Sequence, residues 1–428
     1  MRTKLLLAGA AMAAPLALAH PALAAPAPKW GDPVAVGDGF TIDPIIDARL
    51  RYEHVDQPTV DADAVTLRLR VGAEVRHAPS HLGLLAEAEA TLALDDHYNA
   101  FPYVVASRQR RPQYATIADP MNVELNRLQL QYKTKQLTLT VGRQRINLDD
   151  QRWVGNAGWR QNEQTFDAAR AEAKIGPVAL DGTYAISQRT IYGIDGGPRR
   201  AFDGNFVFLG AGTKLGPLQV KGFAYLLDYD AQEQLGALAI PNADTQTYGV
   251  RATESFPLAP KLKLNVMASY ARQSDYKNNP LHYGADYIAG EAGLAYLGWG
   301  LTGGYEKLGS ALATGGVRRA LQTPMATLHK FNGWADVFLT TPNNGLQDMY
   351  VSLGKKFDGV KALPGLNATV TWHRFDSDFG STRYGDEWDA SVGFKLGKVA
   401  VLAKYADYSA STFGVDTKKF WLQGEVSF

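Results

Sequence analysis

The sequence predicts an all-β protein, namely a transmembrane antiparallel up-and-down β-barrel of about 18 strands. Four observations support this class. Segments of about ten residues alternate between apolar and polar side chains along nearly the whole chain. Very short turns alternate with long polar connections, and the last strand-like run ends on an aromatic residue, Phe428. Beyond the N-terminal stretch, there is no apolar run of the roughly 18 residues that a membrane helix needs.

The first residues are typical of a secretory signal peptide. Arg2 and Lys4 form a basic start, residues 5–19 are apolar, and Ala22-Leu23-Ala24 is an A-x-A cleavage site. We therefore expect residues 1–24 to be removed. Residues 25–39 are expected to form a short periplasmic segment, and residues 40–428 the barrel.

The strands are predicted from two-residue periodicity. In one segment Leu67, Leu69 and Val71 share a face, whereas Arg68 and Arg70 share the other. The strands of a soluble β-sandwich also alternate between apolar and polar residues. The polar face of such a strand looks at water, however, and need not carry so many charged residues at equivalent positions of neighbouring strands. The expected strands are approximately 40–54, 64–77, 82–93, 123–133, 137–146, 164–175, 178–189, 204–215, 218–229, 245–256, 261–273, 285–297, 299–309, 347–357, 366–376, 386–397, 399–409 and 418–428.

The connections between these strands are of two kinds. Gly176-Pro177 and Gly397-Lys398 are very short, whereas 95–122, 148–163 and 310–346 are long and polar. Barrels of the outer membrane have short periplasmic turns and long outer loops. With both chain ends in the periplasm, parity requires residues 331–339 to belong to an outer loop. A barrel of this size is wide enough for an aqueous channel.

The last strand predicts two partners. Phe420, Leu422 and Phe428 fall on one face, and the other face is mostly polar. A terminal aromatic resembles the signal that the barrel-assembly machinery reads, so Phe428 is predicted to bind it. The apolar faces predict contact with lipid and lipopolysaccharide in the bacterial outer membrane. The alternative is an ordinary edge strand that ends on Phe.

Composition and motifs exclude several other classes. Cys is 0, so no disulfide framework is available. The formal charge is +1, and basic residues are interleaved with acids, so no nucleic-acid partner is expected. P-loop, H-E-x-x-H and G-x-S-x-G patterns are missing. Asp95-Asp96-His97 is interpreted as a solvated loop tip rather than a metal site. We predict no enzyme activity, no cofactor and no metal.

Arginine is concentrated in the first strands. Residues 49 to 170 hold 14 of the 24 arginines. If apolar residues face lipid, the alternate residues face the pore, and guanidinium groups there favour anions. The predicted pore residues of these strands are Arg49, Arg51, Arg68, Arg70, Arg127 and Arg170, with the carboxylates Glu87 and Glu89. The alternative is that Arg and Glu pair across neighbouring strands and only fill the barrel.

The most specific stretch is 142–168, GRQRINLDDQRWVGNAGWRQNEQTFDA. It loses the strand pattern after Ile146 and is rich in Arg, Asp, Asn, Gln and Trp. Planar amides and guanidiniums suit hydroxyls and carboxylates, and indoles cover apolar sugar faces, so this composition indicates saccharide binding.

This stretch resembles the alginate export family of outer-membrane barrels. Residues 321–348 and the tail 405–421 are similar to that family too. The resemblance implies an eighteen-stranded barrel with an Arg-rich pore that passes an anionic polysaccharide. By matching position, it implies as pore residues Arg143, Arg145, Arg152 and Arg160, with Asp149 and Asp150 as their partners.

These observations together predict an outer-membrane porin. It would pass anionic oligosaccharides or polysaccharides of the alginate type, or small anions, by passive diffusion through an Arg-lined pore. One alternative is a structural or adhesive barrel with a plugged lumen. Another is an outer-membrane hydrolase, for which His329 near Asp336 would need a serine partner.

Overall fold

The computed structural model describes residues 31–234 and 243–428. The predicted signal peptide, residues 1–24, lies outside the described residues. Within the described part of the chain, no helix has the length and apolar character needed to cross a membrane.

In the described residues, eighteen long antiparallel strands close into one barrel. A short strand, β1, pairs with the start of β2 beside the barrel. The first eleven strands are β1 (Val34–Gly37), β2 (Phe40–Asp56), β3 (Asp61–His77), β4 (Leu82–His97), β5 (Asn122–Lys133), β6 (Leu137–Gln144), β7 (Thr165–Ile175), β8 (Val178–Arg189), β9 (Ala201–Leu215), β10 (Leu218–Tyr229) and β11 (Thr245–Ala259).

The second half of the chain continues the barrel. It adds one small hairpin, β15–β16, which pairs only with itself and is not a part of the barrel wall. The remaining strands are β12 (Leu262–Asp275), β13 (Gly284–Tyr296), β14 (Trp299–Leu308), β15 (Ser310–Leu312), β16 (Arg318–Ala320), β17 (Leu346–Lys356), β18 (Asn367–Asp376), β19 (Arg383–Leu396), β20 (Val399–Ala410) and β21 (Thr417–Ser427). The described 3₁₀ segments are η1 (Ile194–Arg200), η2 (Ala231–Gln234) and η3 (Thr314–Gly316).

The barrel closes where β21 pairs with β2. The register runs from Asp47 opposite Ser427 to Asp56 opposite Lys418, so the last strand has a partner on each edge. Closure gives the backbone N–H and C=O groups of every strand edge a hydrogen-bond partner, which a membrane-spanning sheet requires. The predicted fold is therefore confirmed. Residues 331–339, which the structure describes, form no strand and lie in the connection between β16 and β17.

The two faces of each strand meet different surroundings. On β3, Leu69 and Val71 are 42 % and 48 % exposed on the outside, whereas Arg68 and Arg70 are buried inside. The same outward apolar exposure recurs around the barrel, which is how strands face acyl chains. Its outward members include Leu50, Leu84, Leu130, Val141, Leu209, Val250, Ile288, Leu301, Val351, Val370, Val392 and Leu422.

Three connections fold into the barrel. We call residues 98–121, 145–164 and 309–345 the first, second and third inner loops, and their end of the barrel the long-loop end. The opposite end carries short connections such as 176–177 and 397–398. Under the second and third inner loops lies a buried cluster that includes Phe166, Phe208 and Tyr225. The first inner loop packs through Phe101 and Ile117.

Candidate pore constriction

The second inner loop leaves the wall at β6, which ends after eight residues. Gly142, with φ of +115°, precedes this departure. A Cβ there would lie 2.3 Å from the Leu128 carbonyl oxygen, so a glycine is required at this point of the wall. The chain then turns into the lumen and returns to the wall at Thr165. The stretch that the sequence singled out is thus an internal loop.

Four arginines on β2 and β3 form what we call the arginine wall: Arg49, Arg51, Arg68 and Arg70. Arg49 lies directly opposite Arg68 in the strand register. Like charges in such a position repel each other, so nearby carboxylates are needed. Glu425 on β21 supplies them, 3.1 Å from Arg49 Nε and 3.0 Å from Arg68 Nη2. Asp47 also pairs with Arg68.

Two members of the arginine wall hold the second inner loop. Arg49 Nη1 donates to the carbonyl oxygens of Gly158 and Trp159 at 3.2 and 3.1 Å. Arg51 Nη2 donates to the Trp159 carbonyl at 2.6 Å, and its guanidinium carbon lies 4.0 Å from the centre of the Trp159 ring. Arg51 is 0 % exposed. These side chains point inward, as the alternation implied, but they contact the loop.

Further arginines meet glutamates in what we call the Arg–Glu network. Arg127 donates to Glu87 at 2.9 and 2.6 Å, and Arg70 pairs with Glu89. Arg145 Nε donates to Glu163 at 2.8 Å. Burial raises the pKa of the Glu163 carboxyl, but the Arg145 and Arg70 charges outweigh it and hold this pKa well below its ordinary value. Glu163 therefore stays ionised.

Arg152 and Arg160 connect the second and third inner loops. Arg152 donates to Glu306 on β14 at 2.7 Å, to Thr323 at 3.0 Å and to Asn332 at 3.1 Å. Arg160 Nη2 donates to Asp336 at 2.6 Å. Both guanidiniums are buried, so each acts as an internal anchor.

Asp149 and Asp150 do not pair with the predicted arginines. Asp149 lies 2.9 Å from Lys221 on β10, and Asp150 lies 3.1 Å from Arg251 on β11. The expected pairing was wrong because the loop tip extends to β10 and β11, further along the wall from β7, and meets basic residues there. Asp150 also accepts the backbone N–H of Arg152 at 3.2 Å.

Arg143 and Arg170 lie apart from the constriction. Arg143 shares its side of β6 with Val141, which is 59 % exposed on the outer face, and it binds Asp167 at 2.7 and 2.9 Å. The geometry thus places Arg143 on the outer surface of the barrel, because the loss of strand pattern begins only after it. Arg170 faces inward and pairs with Asp181 nearer the short-turn end.

A second set of residues, which the sequence did not group, forms what we call the aromatic joint: Trp159, His329, Trp334, Lys404 and Trp421. His329 stacks on Trp159 with ring centres 4.4 Å apart. The Lys404 ammonium lies 3.6 Å from the Trp334 ring centre and 2.8 Å from His329 Nε2. His329 Nδ1 contacts Asp336 at 2.8 Å. The pair considered for a hydrolase therefore contacts a lysine and joins two inner loops.

Several guanidinium nitrogens of the lumen have no hydrogen-bond partner in the described part of the chain. They are Arg68 Nε and Nη1, Arg70 Nη2 and Arg160 Nη1, and each is buried. Most buried polar groups are paired, so such donors call for an explanation. Arg160 Nη1 lies 3.6 Å from Glu53, whereas the nitrogens of Arg68 and Arg70 indicate sites where water or a solute would bind.

A closed barrel with an apolar outer surface, a charged interior and inward-folded loops defines an outer-membrane porin. The family described as "Alginate export" matches residues 44–279, and the chain belongs to this family. The protein is therefore an outer-membrane transport barrel. A comparison with curated proteins finds no match.

Solved structures agree on the fold. Acinetobacter baumannii OccAB3 is 15% identical, with 90% of this chain and 100% of that chain covered and a TM-score of 0.65. Acinetobacter baumannii OccAB1 is 12% identical, with 90% and 96% covered and a TM-score of 0.68. Pseudomonas aeruginosa OpdK with vanillate is 12% identical, with 90% and 98% covered and a TM-score of 0.65.

Proposed function

We propose that this protein is a passive pore for anionic solutes, taking small carboxylates and extended acidic oligosaccharides such as those of alginate. The observation that carries the proposal is the arginine wall, in which Arg49 faces Arg68 across the strands. Such a pair is repulsive, and a lumen filled only for stability would not need it. Unused buried donors on Arg68 and Arg70 add binding capacity for a carboxylate.

The inner loops set the size of the solute. They fill the lumen from the long-loop end as far as Asp149, which contacts Lys221, and beyond it the short-turn half contains a cavity of about 360 Å³ lined by Thr138, Glu172, Lys174 and Lys221 among others. A solute would pass as a single extended chain or a small molecule. A broader polysaccharide would require the second inner loop to move away from the arginine wall.

Two further findings support the proposal. The family is described by alginate export, and alginate is a polymer of carboxylate-bearing sugars. OpdK was solved with vanillate, an aromatic carboxylate. Arg-lined passages lower the barrier for such anions, while nearby glutamates keep them from binding too tightly to leave.

A structural or adhesive barrel is the second candidate. The full burial of Arg51, which donates to the Trp159 carbonyl of the second inner loop, favours it, because this arginine then serves only to hold a plug. Conductance separates the two functions, since a plugged barrel passes no current.

The test is a reversal-potential measurement in planar bilayers under a potassium chloride gradient. We expect wild-type channels to prefer chloride, and Arg49→Gln with Arg70→Gln to shift the preference towards potassium. Arg143→Gln is the matched control, because Arg143 lies on the outer face and its loss should leave selectivity unchanged. Cation preference in the wild type would contradict the proposal, and absence of conductance would favour the structural barrel.

A further inference from the structure

Glu163 is a loop carboxylate in a site built of donors. Its oxygens accept Arg145 Nε at 2.8 Å, Asn126 Nδ2 at 2.6 Å and Asn156 Nδ2 at 2.7 Å. Arg70 Nη1 lies 3.5 Å away. The side chain is 1 % exposed. Two guanidiniums and two amides thus surround one carboxylate that comes from an inner loop and not from the barrel wall.

We propose that Glu163 occupies the carboxylate-binding subsite of the pore, and that a solute carboxylate takes its place during passage. The subsite consists of Arg70, Arg145, Asn126 and Asn156. This inference rests on the proposed function, and it names both the site where the anion binds and the group that competes for it. Glu163 is then an internal competitor that keeps the empty pore narrow.

Charge balance supports an exchange of one carboxylate for another. In the Arg–Glu network, Glu87 and Glu89 belong to β4 and are bound by Arg127 and Arg70, whereas Glu163 belongs to the second inner loop. Removing one partner of a buried ion pair leaves an uncompensated charge, which is costly. A solute that brings its own carboxylate avoids this cost, because the two guanidiniums stay paired throughout the exchange.

The unused donor of Arg70 gives an incoming carboxylate a first contact. Arg70 Nη2 is buried and has no partner within the described residues, while Arg70 Nε binds Glu89 and Nη1 approaches Glu163. A solute could therefore bind Arg70 before Glu163 leaves. This first contact is through one nitrogen, and it becomes bidentate, the geometry in which guanidinium recognises carboxylate, once Glu163 has released Nη1.

Glucuronate block of single-channel current tests the exchange. Glu163→Gln removes the competing charge and keeps the shape of the side chain. We expect glucuronate to block this variant at roughly a tenth of the wild-type concentration, a shift typical of a lost charged contact. Glu163→Asp, which withdraws the carboxylate by one methylene, should give an intermediate value, and it serves if the amide variant fails to fold.

Glu291→Gln is the matched control. Glu291 faces the lumen from β13 and accepts Tyr350 Oη at 2.7 Å, so its loss changes the lumen charge equally without touching the subsite. Block of this variant should stay at the wild-type concentration. If Glu163→Gln behaves like Glu291→Gln in a channel that prefers chloride, the exchange is refuted while the anion pore stands. A wild-type channel that prefers potassium refutes the proposed function itself.

Discussion

Arginines in this barrel differ in role according to their partners. All three guanidinium nitrogens of Arg152 donate a hydrogen bond, to Glu306, Thr323 and Asn332, whereas Arg70 keeps a buried nitrogen without a partner in the described residues. A buried guanidinium whose three nitrogens are all bonded has little capacity left for a solute. We therefore assign Arg152 to loop anchoring and Arg70 to solute contact.

Loss of the Arg152 anchor should release the loops. Arg152→Met leaves Glu306 buried without its cation, which typically costs about 3–5 kcal/mol. We expect a lower urea midpoint in lipid vesicles and larger, noisier single-channel currents, because the second and third inner loops lose their shared contact. Arg152→Met combined with Glu306→Gln should recover most of the lost stability. Unchanged currents in the single variant would show that this ion pair does not hold the loops.

At the scale of elements, the sequence predicted the strands well because lipid and lumen impose a strict two-residue period. It did not predict the contacts of the inner loops correctly. Asp149 was paired with neighbouring arginines, yet it reaches Lys221 on a distant strand. Glu163 lay in the stretch that was singled out, but its role depends on Arg70, which comes from β3. The spacing of residues within a loop carries no information about which strand of the barrel the loop tip contacts.

The position of Glu425 could have been predicted from strand alternation and barrel closure. It alternates with the apolar residues of the last strand, and therefore faces the lumen beside the first strands of the barrel. The closure of an up-and-down barrel places the last strand next to the first. From closure alone, Glu425 could have been predicted as the partner of Arg49. The aromatic joint, by contrast, combines residues from two loops and two strands, and no periodicity connects them.

The aromatic joint should weaken in acid. Burial lowers the pKa of His329 well below its ordinary value; Asp336 raises it, and Lys404 lowers it further. His329 is thus neutral when the loops are packed, but it takes up a proton near pH 6.5 when they separate. His329 stabilises the joint most above about pH 6.5, and this contribution falls by up to about 1.4 kcal/mol per pH unit below that value.

Single-channel recordings between pH 7 and pH 5 would measure this effect. We expect openings of the inner loops to become more frequent below pH 6.5, with His329 contributing up to about tenfold per pH unit. Asp336 does not interfere, since its pKa is held well below the ordinary carboxyl range and it titrates only at lower pH. His329→Gln should weaken the dependence, and Lys404 and Asp389, which also contact the joint, account for the remainder. A wild-type channel with the same opening frequency at both pH values would contradict the role of the joint.

The wall of the barrel separates two environments, lipid on the outside and the aqueous lumen on the inside. Each strand carries apolar side chains towards acyl chains and polar ones towards the lumen, so adjacent residues along a strand experience opposite environments. The arginines that would be costly in lipid are concentrated inside, on strands that meet at the closure between β21 and β2. Membrane insertion and anion passage thus depend on the same alternation.

Two substitutions on β17 test this alternation directly. Val351 is at the centre of the strand and points outward, whereas Ser352 points inward and contacts Thr371 at 2.9 Å. Val351→Arg places a charge in the acyl region and should cost about 2–4 kcal/mol. Ser352→Arg places the same charge in the lumen and should cost less than about 1 kcal/mol while it increases chloride preference. Urea titration of both variants in lipid vesicles gives the difference. Equal destabilisation would mean that the two faces of the wall do not meet lipid and water respectively.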